Sequence, residues 1–245
     1  MPIYKVRREA ECYGHDIGIL LIDCRTPFIP GDVGNAYTYD YPVLYKTVPD
    51  VTLTRLIDEG DLSLTDRVVE TARALEASGV AAITSDCGYM MHFQELVAEA
   101  VSIPVMLSSL LQLPFIGSLL GPKQSIGLLC ANKERLTEDL LARAYPNQPV
   151  KIHVAGMERM PNFRGPMLDE TDTLDSDAIE REMLATVDHM LAGHPDIGAF
   201  LLECSNMPPY AAAIHRHTGR PVFDFVTMIN HVAAAVMPKI YSGRY

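Results

Sequence analysis

Two stretches of the chain carry the same pattern, and each ends shortly after a cysteine. Val80–Met90 reads V-A-A-I-T-S-D-C-G-Y-M, and Ile197–Met207 reads I-G-A-F-L-L-E-C-S-N-M. Cys87 and Cys204 are 117 positions apart, and the prolines that open the next apolar segments keep the same spacing. A repeat that keeps a thiol and a proline in register predicts two similar half-domains, each with one sulfur at the same strand end.

Continuous apolar runs predict strands that are buried on both faces of a parallel sheet. Ile17–Cys24 (I-G-I-L-L-I-D-C) is one such run, and Ser125–Asn132 (S-I-G-L-L-C-A-N) is its counterpart. Aligning the two runs on their glycines places Asp23 opposite Asn132. We therefore expect both of these side chains to point into a shared cleft.

Helical patterns precede both cysteine-bearing strands. Ser63–Ser78 repeats apolar residues on one face, and the segment that starts at Ser176 does the same. A helix followed by a buried strand, twice over, predicts an α/β fold of two pseudo-symmetric lobes, each a parallel sheet flanked by helices, with the active site in the cleft between them. The first lobe is predicted to comprise residues 1–121 and 215–245, and the second lobe residues 122–214.

Two segments without helical period are predicted to be loops. Pro27–Pro49 is rich in Gly, Pro, Tyr and Asp, and Pro161–Asp175 is polar with Pro and Gly. Long loops of this kind often cover a site. Near the end of the chain, Phe225–Val236 has a helical apolar pattern and is predicted to pack back on the first lobe.

The composition limits the classes of function. The chain has 245 residues, 48% hydrophobic and 21% charged, which is typical of a globular protein. A net charge of −11 argues against a nucleic-acid partner, and the absence of a long apolar run argues against a membrane span. Five cysteines without a CxxC motif favour reduced thiols and no structural metal, so we expect a soluble cytoplasmic protein.

Cys87 and Cys204 are the predicted catalytic residues. Each follows an acidic residue, Asp86 or Glu203, at the end of an apolar strand. Ligands bind beyond the carboxyl ends of parallel strands, where backbone N–H groups and helix N-termini lower the pKa of a thiol. The two acids are interpreted either as direct participants or as groups that cap a turn or pair with a nearby Lys or Arg.

The residues around both cysteines resemble a known group. A-A-I-T-S-D-C-G (Ala81–Gly88) and G-A-F-L-L-E-C-S-N-M-P-P (Gly198–Pro209) are similar to motifs of the aspartate/glutamate racemase superfamily. The resemblance implies a cofactor-independent enzyme in which one thiolate removes a proton from a carbon next to a carboxyl or carbonyl group, and the other thiol protonates the opposite face. It also implies a small carboxylate or cyclic ureide as substrate, and it allows for a homo-oligomer.

Further residues are nominated as substrate-binding groups, because the developing enolate needs hydrogen-bond donors and the base needs orientation. They are Asp23, Ser85, Gly88, Tyr89, Asn132, Ser205 and Asn206. No metal and no cofactor is expected at this site.

Racemisation or epimerisation at a carbon alpha to a carboxylate or cyclic amide is the main interpretation, and three alternatives stay open. A cis–trans isomerase, lyase or decarboxylase of the same fold would use one cysteine covalently or as the proton donor, and the unusual Gly88 and Tyr89 after Cys87 leave room for it. Leu20–Ile29 resembles the opening strand of isochorismatase-type cysteine hydrolases, which would use Asp23 and Cys87, although no lysine is well placed near residue 90. A non-catalytic binding protein of the same shape is the last alternative.

Overall fold

Eight parallel strands form two sheets with the same topology. The computed structural model describes residues 3–10 and 12–244. The strands are β1 (Ile17–Leu21), β2 (Val43–Thr47), β3 (Ala82–Ser85), β4 (Val105–Met106), β5 (Ser125–Cys130), β6 (Ile152–Gly156), β7 (Ile197–Leu202) and β8 (Val222–Phe223). The first sheet has the order β2-β1-β3-β4 and the second the order β6-β5-β7-β8. The predicted α/β fold with two parallel sheets is confirmed.

Helices follow the strands and cover the sheets. They are α1 (Thr65–Ser78), α2 (Gln94–Ala100), α3 (Leu113–Leu119), α4 (Glu138–Ala144), α5 (Pro161–Leu168), α6 (Ser176–Gly193), α7 (Ala211–Thr218) and α8 (Phe225–Val236). Short 3₁₀ turns lie at Ala36–Thr38, Leu62–Leu64, Gly88–Phe93, Ser109–Gln112 and Pro208–Tyr210, and a π-helical turn lies at Thr54–Asp58. Within the described residues, no helix combines the length and the apolar composition that crossing a bilayer demands.

The central strands are apolar because both of their faces are covered. Every residue of β5 is buried, and so are four of the five residues of β1. The two strands that precede the repeated cysteines are β3 and β7. Each leads into a 3₁₀ turn and then a helix, α2 in the first lobe and α7 in the second. The sequence repeat therefore corresponds to a repeated strand–turn–helix unit, which places each cysteine in the turn directly after its strand.

Two segments that were predicted as loops contain regular structure. Pro27–Pro49 includes β2, which pairs in parallel with β1. Pro161–Asp175 includes α5, in which Phe163 and Met167 are buried against the core. Burial of these two large side chains outweighs the low helix propensity of the Gly and Pro inside α5, so the tertiary environment decides the local structure.

The chain returns to the first lobe later than predicted. β8 pairs with β7, so the chain is still part of the second sheet at residue 223 and does not leave it at residue 215. α8 then packs on the first sheet, where Phe225 and Ile229 share a buried cluster with Ile17 and Ile19. Among the helices of the described residues after β5, α8 is the one that shares the buried cluster of the first sheet.

Hydrogen bonds join the two lobes near the carboxyl ends of their strands. The hydroxyl of Tyr89 donates to the carbonyl of Asn132 at 2.6 Å. The hydroxyl of Ser205 donates to the carbonyl of Asp86. Each such bond contributes about 1 kcal/mol to stability, and together they hold the end of β3 against the ends of β5 and β7.

Candidate active site

A cavity of about 20 Å³ lies where the carboxyl ends of four strands meet, and this volume holds about one water molecule. Residues that directly follow β1, β3, β5 and β7 form its polar side. The residues lining it are Ile22, Cys24, Thr26, Phe28, Leu53, Ile57, Asp86, Cys87, Gly88, Tyr89, Ala131, Met167, Leu168, Glu203, Cys204, Ser205 and Asn206. Because each sheet supplies two of the four strand ends, the cavity belongs to both lobes.

The structure brings six of the nine predicted site residues to this cavity. They are Cys87, Gly88, Tyr89, Cys204, Ser205 and Asn206. The other three lie outside it. Ser85 is buried in β3 and donates its hydroxyl to the carbonyl of Leu107 at 2.6 Å. Asn132 lies beside the cavity, where its carbonyl accepts from Tyr89.

Asp23 does not have the orientation that was expected. It is exposed and does not line the cavity, whereas its neighbours Ile22 and Cys24 do. Cys24 thus adds a third thiol to the wall. Burial, and next the charge of Asp86, raise the pKa of the Cys24 thiol to about 12.

The two repeated thiols are buried and line the same cavity from different lobes. Cys87 is 7% exposed and Cys204 is 9% exposed. Burial, and next the charge of Glu203, raise the pKa of both thiols well above its usual value, although the backbone N–H groups of Tyr89 and Asn206 counteract this. The prediction that the thiol pKa is lowered is therefore wrong for the protein without a ligand. For each thiol, the loss of hydration on burial outweighs the one backbone N–H that it accepts.

The two acids that precede the cysteines occupy equivalent positions. Asp86 Oδ1 accepts the backbone N–H of Ile22 at 2.9 Å, and Glu203 Oε2 accepts that of Ala131 at 3.4 Å. Asp86 Oδ2 and Glu203 Oε1 have no hydrogen-bond partner among the described residues. Burial raises the pKa of each carboxyl group to about 8. Burial therefore favours the protonated form of both acids in the protein alone.

The interpretation of these acids as partners of a Lys or Arg finds no support in the contacts. Across residues 3–10 and 12–244, every ion pair involves other carboxylates. Among the described residues that line the cavity, none is a Lys, Arg or His. Among the described residues, the cavity wall thus combines thiols and carboxyl groups without a cationic side chain.

Asp32 is a site residue that sequence reasoning missed. It is fully buried and accepts hydrogen bonds from the side-chain amide of Asn206 at 2.7 Å and the backbone N–H of Gly34 at 2.9 Å. The other end of the Asn206 amide, Oδ1, accepts from the thiol of Cys204 at 3.4 Å. Burial raises the pKa of Asp32 to about 7. Asp32 therefore fixes the orientation of an amide that contacts one of the two thiols.

One group of possible metal ligands lies apart from the cavity, near the start of β7. It comprises His153, His194 and Asp196, whose ligand atoms lie within 4.8 Å of one another. The two imidazole rings stack at 3.5 Å between centroids. Because an imidazole nitrogen binds a metal in the plane of its ring, stacked rings must rotate before both can reach one ion. The arrangement in the structure is a ring stack rather than a coordination site.

Comparison with curated proteins finds relatives over most of the chain, whereas no protein-family model matches it. The chain is 31% identical over 236 residues to dimethylsulfoniopropionate lyase 7 from Emiliania huxleyi (strain CCMP1516), covering 92% of this chain and 68% of that protein. It is 32% identical over 231 residues to dimethylsulfoniopropionate lyase 6 from the same organism, covering 90% and 60%. The chain thus spans 60 to 68% of the length of these two relatives.

Solved structures share the architecture at low sequence identity. Allantoin racemase from Pseudomonas fluorescens aligns with a TM-score of 0.63 and 14% identity, covering 93% of this chain and 100% of that chain. A sulfate-associated variant of arylmalonate decarboxylase aligns with a TM-score of 0.61 and 18% identity, covering 93% and 95%. At these identities the likeness shows the fold, which serves a racemase in one case and a decarboxylase in the other.

Proposed function

We propose that this chain, which belongs to the family of the Emiliania huxleyi dimethylsulfoniopropionate lyases and shares its fold with a racemase and a decarboxylase, is a lyase that releases dimethyl sulfide from dimethylsulfoniopropionate. The observation that carries the proposal is the similarity to these lyases over about nine tenths of the chain. The lining of one cavity by both repeated thiols supports it. The lyase alternative thereby takes precedence over racemisation.

The proposed reaction is a β-elimination. The substrate carries a carboxylate at one end and a dimethylsulfonium group at the other, and the hydrogen to be removed lies on the carbon next to the carboxylate. When a base takes this proton, the C–H electron pair forms the new C=C bond, the C–S bond breaks, and sulfur leaves with its electron pair. Acrylate and neutral dimethyl sulfide result, and the base carries the proton. The reaction is redox-neutral and requires a base and a stabilised anion.

The two thiols have different surroundings, which supports different roles. Cys204 donates its S–H to Asn206, whose amide is held by Asp32. Both thiols accept a backbone N–H, Cys87 that of Tyr89 and Cys204 that of Asn206, and of the two it is Cys204 whose proton is held by a side-chain acceptor. We therefore assign the base to Cys87. Cys204 and Asn206 then contact the substrate carboxylate, where negative charge develops as the proton leaves.

The size of the cavity requires part of its wall to move. A volume of about 20 Å³ is too small for the substrate. The apolar side of the wall is formed by Leu53 and Leu168, and the backbone N–H of Arg25 donates to the carboxylate of Glu170 at 2.7 Å between the lobes. We propose that the substrate enters here, because breaking this bond would allow the two sides of the wall to move apart.

Racemisation is the second candidate function, because thiols from both lobes line one cavity as a two-base mechanism requires. The two functions differ in their products. A racemase exchanges the α-proton of a chiral acid with solvent and leaves all other bonds intact, whereas a lyase breaks the bond to the leaving group.

Incubation with dimethylsulfoniopropionate in heavy water tests the proposal. We expect dimethyl sulfide in the headspace by gas chromatography and acrylate by NMR. Cys87→Ser and Cys204→Ser each lower kcat by at least about 100-fold, the usual contribution of a positioned acid–base group. Cys12→Ser, which lies outside the cavity, is the matched control and keeps full activity. Absence of both products, or full activity of Cys87→Ser, contradicts the proposal, and deuterium exchange into chiral acids without elimination supports racemisation instead.

A further inference from the structure

Two carboxyl groups in the cavity have the same incomplete hydrogen bonding. Glu203 is 0% exposed and Asp86 is 4% exposed, and one oxygen of each has no partner among the described residues. In both lobes the partnered oxygen accepts the backbone N–H of the residue that follows the neighbouring strand, Ile22 after β1 and Ala131 after β5. Because the same arrangement occurs twice, the two free oxygens are a property of the fold repeat.

Space for one of these carboxyl groups is provided by a glycine. A Cβ atom built on Gly88 would lie 2.7 Å from the backbone carbonyl oxygen of Glu203 and would also overlap its carboxyl group. Any larger residue at this position would therefore displace Glu203. Asp86 belongs to the first lobe and Glu203 to the second, and both line the cavity.

Buried polar atoms without partners are costly, and an ionised carboxylate without a counter-ion is more so. The other titratable groups near the two acids are each neutral or negative; among the described residues they are Asp32, Cys24, Cys87, Cys130, Cys204, Tyr39, Tyr45 and Tyr89. No cationic side chain of the described residues lines the cavity. A positive charge must therefore come from the ligand if these acids are to ionise.

The rest of the wall specifies which kind of cation fits. Phe28, Leu53, Ile57, Met167 and Leu168 surround the acids with apolar surface. An ammonium group has three N–H donors and the two acids offer two free oxygens, so at least one donor would face this apolar surface unpaired, whereas a methylated cation has no donor to satisfy. An aromatic ring and a polarisable thioether are also favourable neighbours for an alkylated cation.

We propose that Asp86 and Glu203 form a binding subsite for a compact methylated cation, a sulfonium or quaternary ammonium group, at one end of the substrate. This inference rests on the proposed function in so far as it places the substrate in this cavity. The cation is the counter-ion that the two acids lack. Neutral compounds of the same shape lack this interaction, so the subsite selects its substrate by charge.

The subsite also makes binding depend on pH. Since the pKa of both acids is raised to about 8 in the protein alone, a bound cation favours their ionised forms and displaces protons to solvent. Binding therefore becomes tighter as pH rises from 6 to 8, and it releases protons at pH 7.

Two isosteric ligands test the subsite without requiring turnover. 3-(Trimethylammonio)propionate and 4,4-dimethylpentanoate have the same shape, and only the first carries a positive charge. By calorimetry at pH 8 we expect the cationic ligand to bind at least about tenfold tighter, as an opposite charge in a desolvated site implies, and to release protons detectable as a dependence on buffer ionisation enthalpy. The preference should decrease when the same titration is done at pH 6.

Variants assign the preference to the two acids. Asp86→Asn and Glu203→Gln keep the shape of the protonated side chains and should reduce the preference to about twofold or less, whereas Asp23→Asn, which removes an exposed carboxylate outside the cavity, should leave it unchanged. If a variant fails to fold, the pH series on the unmodified protein decides. Equal binding of both ligands, or binding of neither, overturns the subsite. A cation preference in a protein that releases no dimethyl sulfide keeps the subsite and overturns the proposed lyase function.

Discussion

At the scale of single residues, the site depends on a close contact between Gly88 and Glu203. Gly88 follows the cysteine of the first lobe, and Glu203 precedes the cysteine of the second. The carboxyl group of Glu203 occupies the space that a side chain at position 88 would need. The identity of one residue in the first lobe thus determines where an acid of the second lobe lies.

Gly88→Ala should displace Glu203 and lower activity while the fold persists. Because misplacement of a catalytic group by about 1 Å can cost about 100-fold, we expect kcat/KM for dimethylsulfoniopropionate to fall between tenfold and 100-fold. Gly193→Ala is the matched control, since a Cβ at Gly193 meets nothing within 4 Å. Steady-state kinetics with circular dichroism checks both variants, and wild-type kinetics for a folded Gly88→Ala protein contradict the contact as described.

The residues that could be recognised from sequence are those with a repeated context. Cys87 and Cys204 stand in two copies of one pattern, and six of the nine nominated residues line the cavity as a result. Asp32 has no such copy, and its contact with Asn206 spans 174 positions. Asp23 was placed inward by the alignment of β1 with β5, but the turn after β1 exposes it. The end of a strand predicts which residues lie near the cavity, whereas the turn that follows the strand decides whether each side chain points into it.

At the scale of elements, the segment between β1 and β2, residues 22–42, connects the lobes over the cavity. Phe28 lines the wall, and Asp32 reaches the second lobe through Asn206. The hydroxyls of Tyr39 and Tyr45 both donate to the carbonyl of Val33, at 3.2 and 3.0 Å, and hold the segment on the first sheet. Its hydrogen bonds give this loop a defined path.

Asp32→Asn should weaken this connection. The two oxygens of Asp32 each accept one N–H donor. Asparagine has an NH₂ group in place of one of these oxygens, so it would set a donor against one of the two N–H groups. We expect a loss of about 1–3 kcal/mol in the free energy of unfolding, the cost of one buried unsatisfied group, and faster alkylation of Cys204. Asp40→Asn, an exposed change on the same segment, is the control for urea unfolding and thiol labelling. Equal stability of the two variants would show that the contact does not hold the segment.

The elements that escaped prediction are those stabilised by distant contacts. β2 is only five residues long and none of them is buried, so its pattern is weak until pairing with β1 fixes it. α5 contains Gly165 and Pro166, which disfavour a helix locally. β1, β3, β5 and β7 were recognisable because buried strands leave continuous apolar runs in the sequence.

At the scale of the whole molecule, the buried acids make stability depend on pH. Asp86 and Glu203 have a pKa of about 8 and Asp32 of about 7 when folded, against ordinary values near 4. Between pH 4 and pH 8 the unfolded chain has released these protons while the folded protein keeps them. The free energy of unfolding contributed by these groups therefore falls as pH rises through this range.

Glu203→Gln removes one of these titrations and should flatten the pH dependence. We expect the urea midpoint of the variant, relative to the unmodified protein, to rise progressively from pH 5 to pH 8. Unfolding curves by circular dichroism at pH 5, 6.5 and 8 measure this difference, with Asp23→Asn as a control for a general charge effect. A difference that stays constant with pH contradicts a raised carboxyl pKa at this position.

The two sheets have identical strand order, and each presents an acid followed by a thiol at the same edge. Because an acid and a thiol occur twice around one cavity, the two copies can take different roles in a single reaction, as proposed for Cys87 and Cys204. Substitutions around one copy can then alter the reaction while the fold of both halves is kept. An architecture that a racemase, a decarboxylase and this chain have in common is in keeping with such changes.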